Sequence, residues 1–369
     1  MPASDASASV SATRDAGRAR RGLLLLAAVS LLAGATACDD GGDGGWKAPG
    51  KGQAAVLLHD EPSGPPGRQF DGDLDGLTIA SDGTAYVLLD GIQRIKGDRT
   101  MESLRTNLTD NSSGLVALPD GSLIFGRDHA IQKYDRDQQV SVLAGDPGKV
   151  RSTTAPVPKS TSAVGFRFGD NAVAPIGVRP DGSLIVLDGD VVWSLAKGRL
   201  TRVYEVPAAD RKSRGLESHP TAAVDHNGIV YVVSRPADST EYSRIADIMA
   251  IHTDGTSAPV ALPRSVVGMK GRPADLKVSA LTADGADGIY VDTADHNGTY
   301  VLHLHGGRAD LVARAAYDAH GNYRDANCDL KHPVDAKKLP CGLPSSITYG
   351  EGKLLLGGNE HYLLQIGTK

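Results

Sequence analysis

From about residue 54 onward, apolar positions fall in short runs with no helical period. Each run of Val, Ile, Leu, Ala or Tyr is broken by a few polar residues that include Gly, and another run follows. One unit recurs six times: GLTIASDGTAYVLL from Gly76, GLVALPDGSLIFG from Gly114, IGVRPDGSLIVLD from Ile176, TAAVDHNGIVYVV from Thr221, ALTADGADGIYVD from Ala280 and SSITYGEGKLLLG from Ser345. The glycines assigned to the breaks are Gly83, Gly121, Gly182, Gly228, Gly288 and Gly352, spaced 38, 61, 46, 60 and 64 residues apart. Asp-Gly or Asn-Gly between apolar runs predicts a hairpin with a type I′ turn, whose positive φ angles those residues tolerate.

Most hairpins are followed by two further strand-like segments, such as 130–134 and 140–144, or 191–196 and 200–206. Four strands per repeat of this length predict the blades of an all-β, six-bladed propeller occupying residues 54–369. A β-sandwich also consists of short strands and turns, but nothing in it requires the same signature six times. After the sixth signature only three strands remain, while AAVLLH at residues 54–59 has no partner before the first. Ring closure predicts that this N-terminal strand becomes the outermost strand of the last blade and removes the free edge.

The repeats resemble those of NHL-type propellers, whose units run from Pro and Gly through an apolar strand to Asp-Gly and a second apolar strand. The matching residues are Pro175, Ile176, Gly177, Val178, Asp181 and Gly182, and the strand at 140–143 leads into Ala144 and Gly145. The resemblance spans about residues 54–366 and implies fold more than activity.

Composition agrees with a chain of many turns: 44 of 369 residues are Gly, 20 are Pro and only 5% are aromatic. The N-terminus is different in kind. Arg18, Arg20 and Arg21 precede sixteen uncharged residues, 22–37, too short a stretch to span a bilayer but matching an export signal. Ala35, Thr36 and Ala37 then lead into Cys38, which resembles the lipobox of bacterial lipoproteins with Ala35 where Leu is usual. The resemblance implies lipidation of Cys38, a signal peptide over residues 1–37, and a location on the extracytoplasmic face of a bacterial cell membrane. An ordinary secretory signal that happens to abut a Cys is the alternative, and Arg20 and Arg21 leave Sec and twin-arginine export both open. Residues 38–53, rich in Gly and Asp, read as a flexible tether.

From Cys38 onward the chain carries 35 Lys and Arg against 42 Asp and Glu, with no basic block. That excludes the positive surface on which nucleic-acid affinity rests. Cys328 and Cys341 are an even pair in an exported chain and predict a disulfide closing a long strand-poor connection, which is a candidate recognition loop on one face.

Candidate chemistry is sparse. Asp71, Asp73 and Asp75 alternate ahead of Gly76 and match the first half of a Ca²⁺ loop, with Asp82 at the twelfth position; the simpler reading is a solvated acidic loop at the entrance to the first blade, and only Asp71, Asp73 and Asp75 are candidate ligands. Asp82 cannot be both a ligand and the hairpin turn. His219, before Pro220 at the start of the fourth blade, is placed near the channel, but a lone His is no zinc site. His303 and His305 share one face of a strand, as a metal-binding pair or a solvated one. There is no G-x-S-x-G, H-E-x-x-H, P-loop or dinucleotide fingerprint after Cys38.

These features favour a monomeric, membrane-anchored binding module or scaffold for an envelope protein, peptide or wall-derived ligand, with no certain cofactor beyond the Ca²⁺ candidate. The alternative is an extracytoplasmic metal-dependent lyase or hydrolase with its site at the channel. Cys38→Ser is expected to release the protein from membranes or leave it unprocessed in cell fractionation; membrane association equal to wild type rejects the anchor.

Overall fold

The computed structural model describes residues 49–59, 74–89, 91–97, 99–106, 112–152, 155–169, 172–207, 215–216, 219–235, 243–325, 327–358 and 361–369. The leader, Cys38, Asp71 and Asp73 lie outside them. Residues Trp46–Lys369 form one compact unit, and it is a six-bladed β-propeller.

Every blade is an antiparallel sheet, and its four main strands follow in chain order from the axis outward except in blade 6, which borrows one from the N-terminus. Blade 1 is Gly76–Ile79, Ala85–Leu88, Gly91–Ile95 and Met101–Thr106; blade 2 is Ser112–Ala117, Leu123–Arg127, Ala130–Tyr134 and Val140–Gly145. Blade 3 is Val173–Val178, Leu184–Asp188, Val191–Ala196 and Arg199–Glu205, with Ser160–Ser162 added outside. Blade 4 is Ala222–Val224, Val230–Arg235, Ile248–Ile251 and Ser257–Pro259. Blade 5 is Lys277–Ala283, Gly288–Asp295, Gly298–His305 and Arg308–Ala316. Blade 6 takes Ser346–Gly350, Lys353–Gly357 and Tyr362–Gly367 from the C-terminus and Gln53–His59 from the N-terminus. The innermost strands touch in succession, and that of blade 6 touches that of blade 1, so the ring is closed.

The expected closure is therefore present, with one correction. Gln53–His59 pairs with Tyr362–Gly367 on one edge, but the two-residue strand Val334–Asp335 covers its other edge, so the N-terminal strand is not outermost. The connection supplying that cover also departs from expectation. Cys328 and Cys341 are bonded as predicted. The loop they close does not stand on a propeller face: Cys328, Cys341, Ala336 and Leu339 are buried in the hydrophobic cluster between blades 5 and 6, and Leu339 N–H donates to Arg314 O. Apolar residues in this strand-poor segment fill the groove between two diverging blades.

The core is six wedges, one at each blade interface. Because both faces of a blade are covered, inner strands read as continuous apolar runs. In Leu184–Asp188 all five residues are buried: Leu184 and Val186 pack toward blade 2, and Ile185 and Leu187 toward blade 4, as a period of two requires.

Outside blade 6 the hairpin turns are not the expected type I′. At the first of them Gly83 N–H donates to Ala80 O, Ala80 N–H donates to Thr84 O, and only Gly83 has positive φ (+84°). This is a type I turn closed by a left-handed glycine, a three-residue loop with a bulge. Gly121, Gly182 and Gly228 repeat it. The Asp acts as a cap: Asp82, Asp120 and Asp181 accept the amide N–H two residues on, from Thr84, Ser122 and Ser183, at 2.9, 2.9 and 2.8 Å. Those bonds are the main reason the carboxyls of Asp82 and Asp120 are held below their ordinary range, while for Asp181 the hydroxyl of Ser183 contributes most and its amide next. In blade 5 the left-handed residue is Gly285 rather than Gly288, which begins the second strand. Blade 6 does use paired left-handed residues, Glu351 and Gly352.

A second set of glycines lets the innermost strands crowd together. A Cβ on Gly76 would lie 2.8 Å from Leu115 Cβ, one on Gly350 2.8 Å from Ile79 Cβ, and one on Gly114 2.7 Å from Pro175 O. Gly114→Ala should therefore cost about 2–4 kcal/mol, combining a strained φ of +64° with overpacking, whereas Gly182→Ala, at φ +80° with nothing near its Cβ, should cost only about 1–2 kcal/mol. Urea unfolding of the two variants checks the order.

Candidate functional site

Each innermost strand is hydrogen-bonded on its outer edge only, so its other edge turns toward the axis. Some of these groups bond between blades: Gly114 N–H to Asp75 O at 2.8 Å and Leu281 N–H to Pro220 O at 3.1 Å. Around the axis lies a cavity of about 440 Å³ lined by residues of all six innermost strands, a size ordinary for a small-molecule site. Its walls are apolar at Leu77, Leu115, Ile176, Val224 and Leu281 and carry hydroxyls at Thr78, Thr282 and Thr348. Toward the end where the hairpin turns lie, Asp284, Tyr349, Glu351 and Lys369 join the lining.

Of the residues singled out from the sequence, His219 lines this cavity. Loss of hydration pushes its pKa down to about 4, so it stands there as a neutral imidazole able to donate once and accept once. Asp75 is not among the lining residues; its amide donates to Leu88 O at 2.9 Å and its carbonyl accepts Gly114 N–H. Asp82 is at the opposite end of the strand from Asp75, capping Thr84, so the reading of Asp82 as a twelfth-position Ca²⁺ ligand is overturned. A four-residue strand separates the two carboxylates, with about 3.3 Å of rise per residue.

The sequence reading did not single out Asp284. Its Oδ1 accepts the amides of Ala286 (2.7 Å) and Gly288 (3.1 Å), and its Oδ2 accepts from His303 Nε2 at 2.7 Å. Burial pushes the carboxyl up, but His303 and the two amides outweigh it and hold Asp284 below its usual range. A carboxylate acceptor fixes the proton of His303 on Nε2. Behind it runs a ladder of rings: Tyr349 packs on Tyr290 (5.2 Å), Tyr290 stacks on His303 (4.5 Å), and His303 stacks on His305 (4.5 Å). The ladder connects the cavity mouth with the outer strands of blade 5. Two signals could have marked Asp284: its place at the turn end of an innermost strand, and the doubled Asp-Gly of TADGADG.

No family profile and no curated protein matches the sequence. Solved structures do resemble it. A Bacteroides thetaiotaomicron protein of unknown function aligns over 85% of this chain and 75% of its own at 10% identity, with a TM-score of 0.57. An auxiliary nutrient binding protein from the same organism aligns over 85% and 76% at 11% identity, with a TM-score of 0.52. A gluconolactonase from Xanthomonas campestris aligns over 85% and 89% at 16% identity, with a TM-score of 0.46. What these likenesses share with this chain is the propeller fold.

His219 gives a pH prediction. The unfolded chain takes up this proton near pH 6.5 and the folded chain only near 4, so the stability that comes from keeping the imidazole neutral is present above about 6.5 and lost as pH falls toward 4. In NMR titration His219 should show no transition between about pH 5 and 8, and His219→Gln should flatten the loss of stability across the acid window. A midpoint above 6 contradicts a desolvated ring.

Proposed function

We propose that this chain is an extracytoplasmic, membrane-anchored binding module whose axial cavity takes a small polar molecule with an apolar body, derived from the cell envelope or its surroundings. The observation that carries this reading is the cavity itself, walled by all six blades, apolar in the middle and bearing carboxylate, hydroxyl, imidazole and ammonium groups on one lining. The exposed lining is more polar than apolar, and polar groups converging in a recess of this size are what a small polar ligand needs. The leader that precedes Cys38 supports the address, and the Gly- and Asp-rich residues 38–48 would supply the reach from a membrane surface to the ring. A nutrient binding protein built on the same kind of propeller is consistent with such a role for this architecture.

The competing metal-dependent lyase or hydrolase needs several metal donors converging on the axis. Among the described residues, the His, Cys, Asp and Glu side chains that come close enough to share an ion lie on the outer strands of blade 5. His219 enters the cavity without such company, so no observation favours the catalytic reading.

The unit Trp46–Lys369, mixed with envelope extract separated by size, tests the proposal. The small-molecule fraction should raise its melting temperature, with or without chelator. Stabilisation or capture by the macromolecular fraction alone would mean that a face of the disc, rather than its cavity, does the binding.

A further inference from the structure

His303 and His305 stand on Gly298–His305, the third strand of blade 5, with one residue between them, and so project from the same face. The adjacent outermost strand, Arg308–Ala316, pairs His303 with Asp310 across the ladder. One ring nitrogen from each His and one carboxylate oxygen of Asp310 all lie within 4.8 Å of one another. We propose that these three side chains form a binding site for a borderline divalent cation of the zinc class, a site separate from the axial cavity and independent of whether that cavity binds anything.

Four features support it. The donor set, two imidazoles and one carboxylate, suits Zn²⁺ and its neighbours and does not suit Ca²⁺, which takes six to eight oxygens. The backbone is already committed: a hairpin closed by Gly306 and Gly307, with φ angles of 52° and 72°, fixes the Cα positions of all three donors. The donors are also partly drawn together, because His305 Nε2 lies 2.8 Å from Asp310 Oδ2. Finally, a partner stands behind the first ligand. Asp284 accepts from His303 Nε2 at 2.7 Å with its own side chain only 8% exposed. That leaves His303 Nδ1 for the ion and reproduces the carboxylate–histidine–metal arrangement that orients ligating imidazoles.

Zinc bonds of about 2.0–2.2 Å require the donors to close together. The two His rings are stacked at 4.5 Å and 28°, so closing means rotating them about χ2, which leaves the strands in place. The ion replaces the direct His305–Asp310 bond and needs one further ligand, for which the exposed side of Asp310 leaves room for water. Arg308, on the same hairpin, also acts on Asp310 and is the cation that opposes the ion. Because Asp284 lines the cavity mouth, the ion would lie two hydrogen-bonded side chains away from the axial ligand.

The test is titration of the purified full chain, free of any affinity tag, with Zn²⁺ against a chromophoric chelator, and with Co²⁺ read by visible absorption. The expected result is one saturable equivalent and an intense tetrahedral Co²⁺ spectrum, with excess Ca²⁺ failing to displace either ion. His303→Gln, His305→Gln and Asp310→Asn should each weaken Zn²⁺ at least tenfold, and Asp284→Asn about 10–100-fold through the orientation of His303. Lowering the pH through the imidazole range should release the ion, because its binding displaces protons. Absence of a stoichiometric site overturns the proposal, as does undiminished binding in the His303→Gln/His305→Gln double variant, which would assign the ion to other residues.

Discussion

Six strands must fit around one axis, and the rest of the molecule depends on that crowding. At four of the six junctions the close approach requires glycine in place of a side chain: Gly76 against Leu115, Gly114 against Pro175, Gly177 against Val224 and Gly350 against Ile79. Farther out the blades diverge, and larger side chains fill the widening wedges, with Trp193 fully buried between blades 2 and 3 and Tyr362 between blades 5 and 6. Where the divergence between blades 5 and 6 outruns the strands, the Cys328–Cys341 loop supplies the missing apolar volume. Small residues near the axis and large ones at the rim follow from the same geometry.

The geometry also creates the candidate site. A sheet edge facing inward offers backbone donors and acceptors, and closing the ring encloses them in a recess instead of exposing an edge to other chains. Chemistry then concentrates at the turn end of the inner strands. There most carboxylates are committed to amides two residues away, as Asp82, Asp120 and Asp181 are. Asp284 is committed on one oxygen to the turn and on the other to His303, and that second bond ties the axial mouth to a histidine-bearing outer face.

Much of this was legible in the residues, and the failures have physical causes. The repeat count, the strand pairs and the closing strand could be read because strands buried on both faces cannot hide their apolar runs. The disulfide pair was legible from an even cysteine count beyond Cys38 together with the export expected from the leader. The turn type was misassigned because Asp-Gly fits two backbones: a turn with both central residues at positive φ, or a type I turn whose Asp caps the chain and whose Gly alone is left-handed. Only the hydrogen bond from Gly83 to Ala80 separates them. The cysteine loop was placed on a face because a strand-poor segment resembles an exposed one, although it contains Ala336 and Leu339, both buried. Asp284 and its ring ladder depend on neighbours in three strands and two blades, and no local motif encodes such proximity. Asp71 and Asp73 lie outside the described residues, and Asp75 by itself brings no second ligand with it.

In the proposed function the axial cavity is where this protein binds its ligand. Native mass spectrometry of the full chain, purified from the cells that make it, tests this most directly with wild type beside Thr282→Phe, a substitution that fills the cavity from a half-buried lining position. The expected result is a defined small-molecule mass on the wild type that is absent from the equally folded variant. A wild type that carries nothing, or a variant that carries the same mass, would contradict it.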